Sequence, residues 1–165
     1  MAFDAFLKIE TPDIKGESTD EKHKGEIEIF SFSVGASNPV TIGSAHVGGG
    51  AGKVSLSSFN FMKKTDKTSP VLFQATCAGI HYKEALVTLR KAGETQLEYL
   101  KYTFSEVMIE SIQWSGSTGG DDTPMESCSF AFGKMQIDFQ PQGADGKAEG
   151  GAIHGGWSVT TNVKA

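Results

Sequence analysis

Cysteine is scarce in this chain. Two among 165 residues, Cys77 and Cys128, cannot build a disulfide framework. Both are expected to be buried free thiols, Cys77 on a helix and Cys128 on a strand. There is no C-x-x-C pair, and His23, His46, His81 and His154 are scattered without ligand spacing. No zinc site or other cofactor is therefore expected. Long apolar runs are also missing, and none approaches the roughly 20 residues that a membrane span needs. The opening MAFDAFLKIE carries Asp4 and lacks the apolar core of a signal peptide, so synthesis in the cytoplasm is expected and any export needs dedicated machinery. Positive charge is short as well. Fifteen Lys and Arg against twenty Asp and Glu leave a net charge of −5, which argues against a nucleic-acid partner and its demand for a basic face.

Catalytic motifs are equally absent. GGGAGK at residues 48–53 resembles a phosphate loop only superficially. The spacing places Val47 where the first glycine belongs and Val54 where Ser or Thr would hold magnesium. A strand follows it, so no helix N-terminus is available for a phosphate. No nucleophile elbow G-x-S-x-G occurs, and no enzyme activity is expected. Lys63, Lys64 and Lys67 sit near one turn and are read as a solvated face. Polar residues 11–25, including GESTDEKHKG, are read as a solvated loop.

What the chain does have is glycine, 20 residues of it, gathered in turns, together with alternating apolar patterns. Residues 1–165 are read as one domain. The organising stretch is 48–79. It joins a glycine-rich approach, a strand signal, a basic turn and the one convincing helix. Ser69 is the expected N-cap and Pro70 the first helical residue. Val71, Leu72, Ala75 and Ala78 form the apolar stripe, and Gly79 the left-handed C-cap. A helix this short must plug or brace something larger. Everything else alternates as strand and turn: 3–10, 26–35, 53–63, 85–90, 97–114, 125–140 and a last strand through Trp157, Val159, Thr161 and Val163. Two stretches lack periodicity. Residues 36–52 hold Pro39 and five glycines and read as either an arm packing on a neighbour or a disordered tip. Residues 142–156 form a second glycine-rich excursion.

Several strand signals change face partway. The slip falls at Ser57–Ser58 in the third, between Phe104 and Val107 and again between Ile109 and Ile112 in the long one, and at Gly133 in 125–140. Strands this long that swap faces turn barrel corners. The fold class expected is mainly β: a two-sheet β-barrel with one short flanking α-helix and long loops. A small β-barrel ligand-binding protein shares that class, but the convergent His or carboxylate residues of a site are not evident.

Taken together, GESTDEKHKGEIEIFSFSVG, GGGAGKVSLSSFNFMKKTDKTSP, ALVTLRKAGETQLEYLKYTF and FQPQGADGKAEGG with its later GGW resemble the haemolysin-coregulated protein (Hcp) family, the tube protein of type VI secretion. The resemblance implies a barrel related to phage tail-tube proteins. It implies homohexameric rings that stack into a tube inside a contractile sheath, capped by a trimeric valine-glycine repeat spike protein. It also implies small effectors carried in the lumen and secretion on contraction, without membrane insertion. A tail tube of a phage-like contractile particle is the alternative. Ser31 and Ser33 are the lumen candidates. Ser44, His46, Gly48, Gly49, Gly50, Gly52, Gly150 and Gly151 are candidates for contacts within or between rings. Many members of the family carry tryptophans where Phe32 and Val34 stand here, a departure that bears on cargo contacts. No fused toxin domain is expected after Ala165.

Overall fold

The computed structural model describes residues 3–42, 50–93, 96–120 and 122–165. In chain order these form β1 (Phe3–Glu10), β2 (Ile27–Glu28), β3 (Ser31–Ser33), β4 (Ala36–Ser37), β5 (Val40–Thr41), β6 (Gly50–Ala51), β7 (Ser55–Leu56), β8 (Phe59–Lys64), α1 (Ser69–Ala78), β9 (His81–Lys91), β10 (Glu98–Ser115), β11 (Met125–Ala131), β12 (Lys134–Phe139), β13 (Ile153–Ser158) and β14 (Val163–Lys164). Every pairing among them is antiparallel.

Backbone hydrogen bonds run in a closed circuit. β1 pairs with β9, β9 with β10, β10 with β11, β11 with β8 and β8 with β3. The segment from β2 to β3 closes the ring. β2 pairs with β1, Ile29 N donates to Ala5 O at 3.0 Å, and Phe30 N donates to Met62 O of β8 at 2.8 Å. The predicted barrel is therefore present, and closure removes the open edges that a flat sheet would leave. β12, β13 and β14 extend it as a flap along the first half of β10.

The face swaps have specific causes. β10 pairs with β12 over Leu100–Ser105 and with β11 from Met108 onward. Between them Glu106 takes φ 57°, and Gly133 N donates to both Ser105 O and Glu106 O, at 2.9 and 3.2 Å. A Cβ on Gly133 would lie 2.0 Å from the Glu106 carboxylate, so a larger residue there would displace that side chain. A second slip lies between Ile109 and Ser111, which leaves Glu110 as the bulged residue. These two irregularities separate the three apolar phases of this strand. At Ser57–Ser58 the expected strand is broken into β7 and β8, and Ser57 exchanges two hydrogen bonds with Gly35.

The barrel interior is filled by aromatic rings. Phe59 lies 5.0 Å from Phe130 and 5.1 Å from Phe104, centroid to centroid, and Phe104 is 5.1 Å from Phe130. All three are fully buried. Helix α1 closes one end, with Leu72 and Ala75 buried and Phe73 5.8 Å from Trp114 of β10. Ser69 is the first helical residue and Pro70 the second, so the N-cap is Thr68, one position earlier than expected. Val71 and Ala78 are exposed, leaving a narrower stripe than the sequence implied. Gly79 does take the left-handed C-cap conformation, φ 62°.

Two further corrections concern the chain's ends and thiols. The last strand is a hairpin of β13 and β14 turning through Asn162 at φ 56°. It begins at Ile153, which pairs with Phe139 of β12, and a Cβ on Gly156 would sit 2.7 Å from Ala165 O. Cys128 is buried as expected and burial pushes its thiol up to about 12, with the Glu126 carboxylate adding to the effect. Cys77 is exposed, because two positions past Ala75 falls on the opposite side of a helix. A thiol reagent should label Cys77 in the native protein and both cysteines after unfolding. Native labelling of Cys128, read by peptide mass mapping, would contradict this placement.

Candidate assembly surfaces

Two surfaces carry the candidate residues, and a third departs from its reading in the sequence. The first is the outer face of β3, β8, β11 and the second half of β10. Alternation sends Phe32, Phe61, Cys128 and Ile112 toward the interior, so their neighbours point outward. Register then aligns the outward residues in rows. One row is Ser33, Asn60, Ser129 and Ser111, and the next is Ser31, Met62, Ser127 and Gln113. Ser111 and Ser129 share a hydrogen bond of 2.6 Å, and Ser129 donates to Glu110 at 3.2 Å. The result is a surface of mostly small polar side chains, in which Ser129 is covered and Met62 and Glu110 are exposed. Ser31 and Ser33 are exposed within it. Asn60, Ser111, Gln113, Ser127 and Ser129 were missed by the sequence reading. Their alternation is visible in ESCSF and SSFNF, but only strand pairing shows that they share one face. Phe32 stacks on Phe59 at 5.6 Å and Val34 packs against the core.

The second surface is the arm. Residues 36–52, one of whose two readings was a disordered tip, begin and end as a ribbon: β4 pairs with β7 and β5 with β6. Gly50 lies in β6. Gly52 N donates to Pro39 O at 2.9 Å, and a Cβ on Gly52 would meet the Pro39 ring at 2.5 Å. Ser44, His46, Gly48 and Gly49 lie outside the described residues. Residues 36–42 and 50–53 are all exposed, including Val40 at 57% and Ile42 at 88%. At the arm's base Ala36, Leu56, Tyr102, Ile137 and Trp157 line an apolar groove of about 420 Å³. Gly150 and Gly151 belong to the connection between β12 and β13 and are exposed. Gly150 takes φ 69° and its carbonyl accepts from Gln140 Nε2 at 3.2 Å.

The third surface is unlike its sequence-based reading. Residues 11–25 were expected to be a solvated loop, yet residues 15–26 fold down as a strap over the outer side of β1, β9 and β10. Asp20 and Asp4 bind the buried guanidinium of Arg90, at 2.6 and 3.0 Å. The Arg90 hydrogen bond is the main reason the Asp20 carboxyl is held at about 2. His23 is buried, its ring stacked on Phe6 at 4.3 Å. The alternation of β1 gave a signal here: Phe6 breaks the pattern because this outward face is covered. Lys63 is a second correction. Expected on a solvated face, it is fully buried, with Nζ 2.8 Å from Asp66, 2.7 Å from Glu126 and 3.2 Å from Ser69 Oγ. Lys64 and Lys67 are exposed.

Among the described residues no group of three or more His, Cys, Asp or Glu is arranged to hold a metal ion. No helix among them is long and apolar enough to cross a membrane. A barrel with a packed interior, a projecting ribbon and a smooth polar face defines a building block, a protein whose working parts are its surfaces. The profile of the family described as "Type VI secretion system effector, Hcp" matches residues 6–139. Protein hcp1 of Pseudomonas aeruginosa is 45% identical over the whole of both chains. A solved "type six secretion system protein" superposes with a TM-score of 0.93 and 36% identity over 99% of this chain and 100% of its own. The chain belongs to the Hcp family, the tube proteins of the type VI secretion system. A chain of the anti-feeding prophage baseplate matches at TM-score 0.51 and 13% identity over 82% of this chain and 91% of its own, a likeness of fold alone.

Proposed function

We propose that this chain forms homohexameric rings that stack into a tube, with the Ser31/Ser33 face lining the lumen and the arm contacting a neighbouring copy. The arm is the observation that carries this reading. A closed barrel with a filled core has no need of a paired ribbon that exposes Val40 and Ile42. A projecting ribbon beside an apolar groove at its base suits a head-to-tail contact, which closes into a ring or extends linearly. Gly50, Gly52, Gly150 and Gly151, with the remaining candidates at 44–49, are the positions proposed for contacts within or between rings.

The rows of serine, asparagine and glutamine suit a lumen. Small uncharged side chains hold a passing protein weakly and release it. Small effectors are the proposed cargo, a trimeric valine-glycine repeat spike the cap, and a contractile sheath the jacket. Assembly takes place in the cytoplasm and the tube leaves on contraction. No catalytic role is assigned. A tail tube of a phage-like particle would share the architecture, and membership of the secretion family favours the secretion tube.

Light scattering after gel filtration tests the ring. Six chains of 17.6 kDa give about 106 kDa, and this mass should hold across protein concentration. Ile42→Glu should leave the circular dichroism spectrum unchanged and lower the mass or prevent tube formation. A native monomer at all concentrations would overturn the ring, and an Ile42→Glu protein that still forms tubes would remove the arm from the contact.

A further inference from the structure

We propose that residues 15–26 form a latch over the outer face of β1, β9 and β10, and that its hold depends on a proton on the His23 ring. The inference stands apart from the tube reading, because every group in it belongs to one chain.

The strap has its own backbone order. Gly16 N donates to Gly25 O at 2.7 Å, Gly25 N to Ser18 O at 2.8 Å and Ser18 N to Glu26 O at 3.1 Å. Gly16 lies so close to the backbone of Glu26 that a Cβ would fall 2.2 Å from its carbonyl oxygen. Two polar attachments hold this folded strap to the barrel. One is Asp20 on Arg90. The other is His23, whose Nδ1 lies 2.9 Å from Glu26 Oε2 and whose Nε2 lies 3.1 Å from Glu98 Oε1 at the start of β10. Glu26 thus fixes the ring within the strap, and Glu98 fixes it to the barrel.

Ionised carboxylates only accept hydrogen bonds. A ring protonated at both nitrogens satisfies both of them, with charge assistance. A neutral ring has one N–H, so the bare nitrogen of a buried ring faces one of two carboxylates that are themselves only partly exposed. The surrounding charges do not substitute for that proton. From the strap, Asp20 Oδ1 accepts from the His23 backbone N–H at 3.2 Å. From β10, Lys101 pairs with Glu98 at 2.7 Å. From β9, Arg90 lies 5.1 Å from the Phe6 ring and is occupied by Asp4 and Asp20. From β1, Phe6 stacks on the imidazole and Lys8 is paired with Glu10.

The two attachments respond differently to pH. Burial works to raise Glu98, yet Lys101 and His23 together hold it below the ordinary carboxylate range. Asp20 is held at about 2. A depressed carboxyl contributes stability above its unfolded pKa of about 3.9, and that stability is lost only as pH falls through the folded value. The Asp20 attachment is therefore constant between about pH 5 and pH 8, the window in which imidazoles titrate. Loss of the His23 proton would therefore loosen the strap at its His23 end while leaving it tethered at Asp20.

Hydrogen exchange read by mass spectrometry on the full-length protein tests this. Rates are corrected for the intrinsic pH dependence of exchange. Protection of amides in 16–26 should fall by about tenfold or more from pH 5 to pH 8, the scale of one charged hydrogen bond, while amides of β9 stay constant. His23→Gln should give the lower protection at every pH, with no pH dependence left. Equal native protection of the strap across the window would overturn the latch. So would a strap whose pH dependence survives in His23→Gln. The native profile decides the first of these even where the variant folds poorly.

Discussion

Lys63→Met is expected to lower the unfolding free energy by about 3–5 kcal/mol, the cost of leaving buried charge uncompensated. Lys63 is 0% exposed and lies within 2.8 Å of carboxylate oxygens of both Asp66 and Glu126. It sits where β8 ends and α1 begins, and Ser69 at the first turn of the helix receives its third contact, at 3.2 Å. The ion pair thus ties the helix that closes the barrel end to two barrel strands. Glu126 is further engaged by Trp114 Nε1 at 2.6 Å, and Trp114 in turn meets Phe73 of α1. Removing the cation leaves Glu126, also fully buried, facing Asp66 without compensation. Lys63→Met with Glu126→Leu should be less destabilised than Lys63→Met alone, because an apolar pair of similar volume carries no stranded charge. Urea unfolding at one fixed protein concentration measures both, since oligomerisation makes stability depend on concentration. A single variant within about 1 kcal/mol of the native protein would mean the network is solvated in solution.

Phe59→Ala is expected to cost about 3–5 kcal/mol through lost burial and the cavity left behind. Phe59 touches the rings of Phe32, Phe61, Phe104 and Phe130, with centroids 5.6, 6.1, 5.1 and 5.0 Å away. These rings come from β3, β8, β10 and β11, so the loss is felt across the barrel and cannot be relieved by moving one strand. Domains of this size hold about 5–15 kcal/mol in all, so the variant should unfold at markedly lower urea. Phe73→Ala, on the exposed side of α1, is the control and should cost far less. Similar costs for the two would show that the aromatic cluster is not the centre of the core.

Sequence order and tertiary structure divide the account at recognisable places. The β class, the short helix, its start to within one residue and its Gly79 end were legible, because they depend on residues near one another in the chain. The face swaps at Ser57–Ser58, Glu106 and Gly133 were legible for the same reason: alternation registers a slip of one residue at once. The resemblance of the quoted segments to the Hcp family was also contained in the sequence.

Other features required partners far away in the chain. Lys63 looks like surface beside Lys64 until Glu126, sixty-three positions later, is paired beside it by the β8–β11 register. His23 and Asp20 look solvated until Glu98 and Arg90 arrive from β10 and β9. The arm looked structureless because β4–β7 and β5–β6 are pairs of two-residue strands, too short to show a period. Ser31 and Ser33 were found singly, but their row mates Asn60, Ser127 and Ser129 come from other strands. By itself the sequence determined where the chain turns, which residues alternate and which family it resembles. Only the tertiary structure decided which polar residues are buried and which surfaces are continuous, because charge compensation and strand register are properties of pairs that the folded backbone alone brings together.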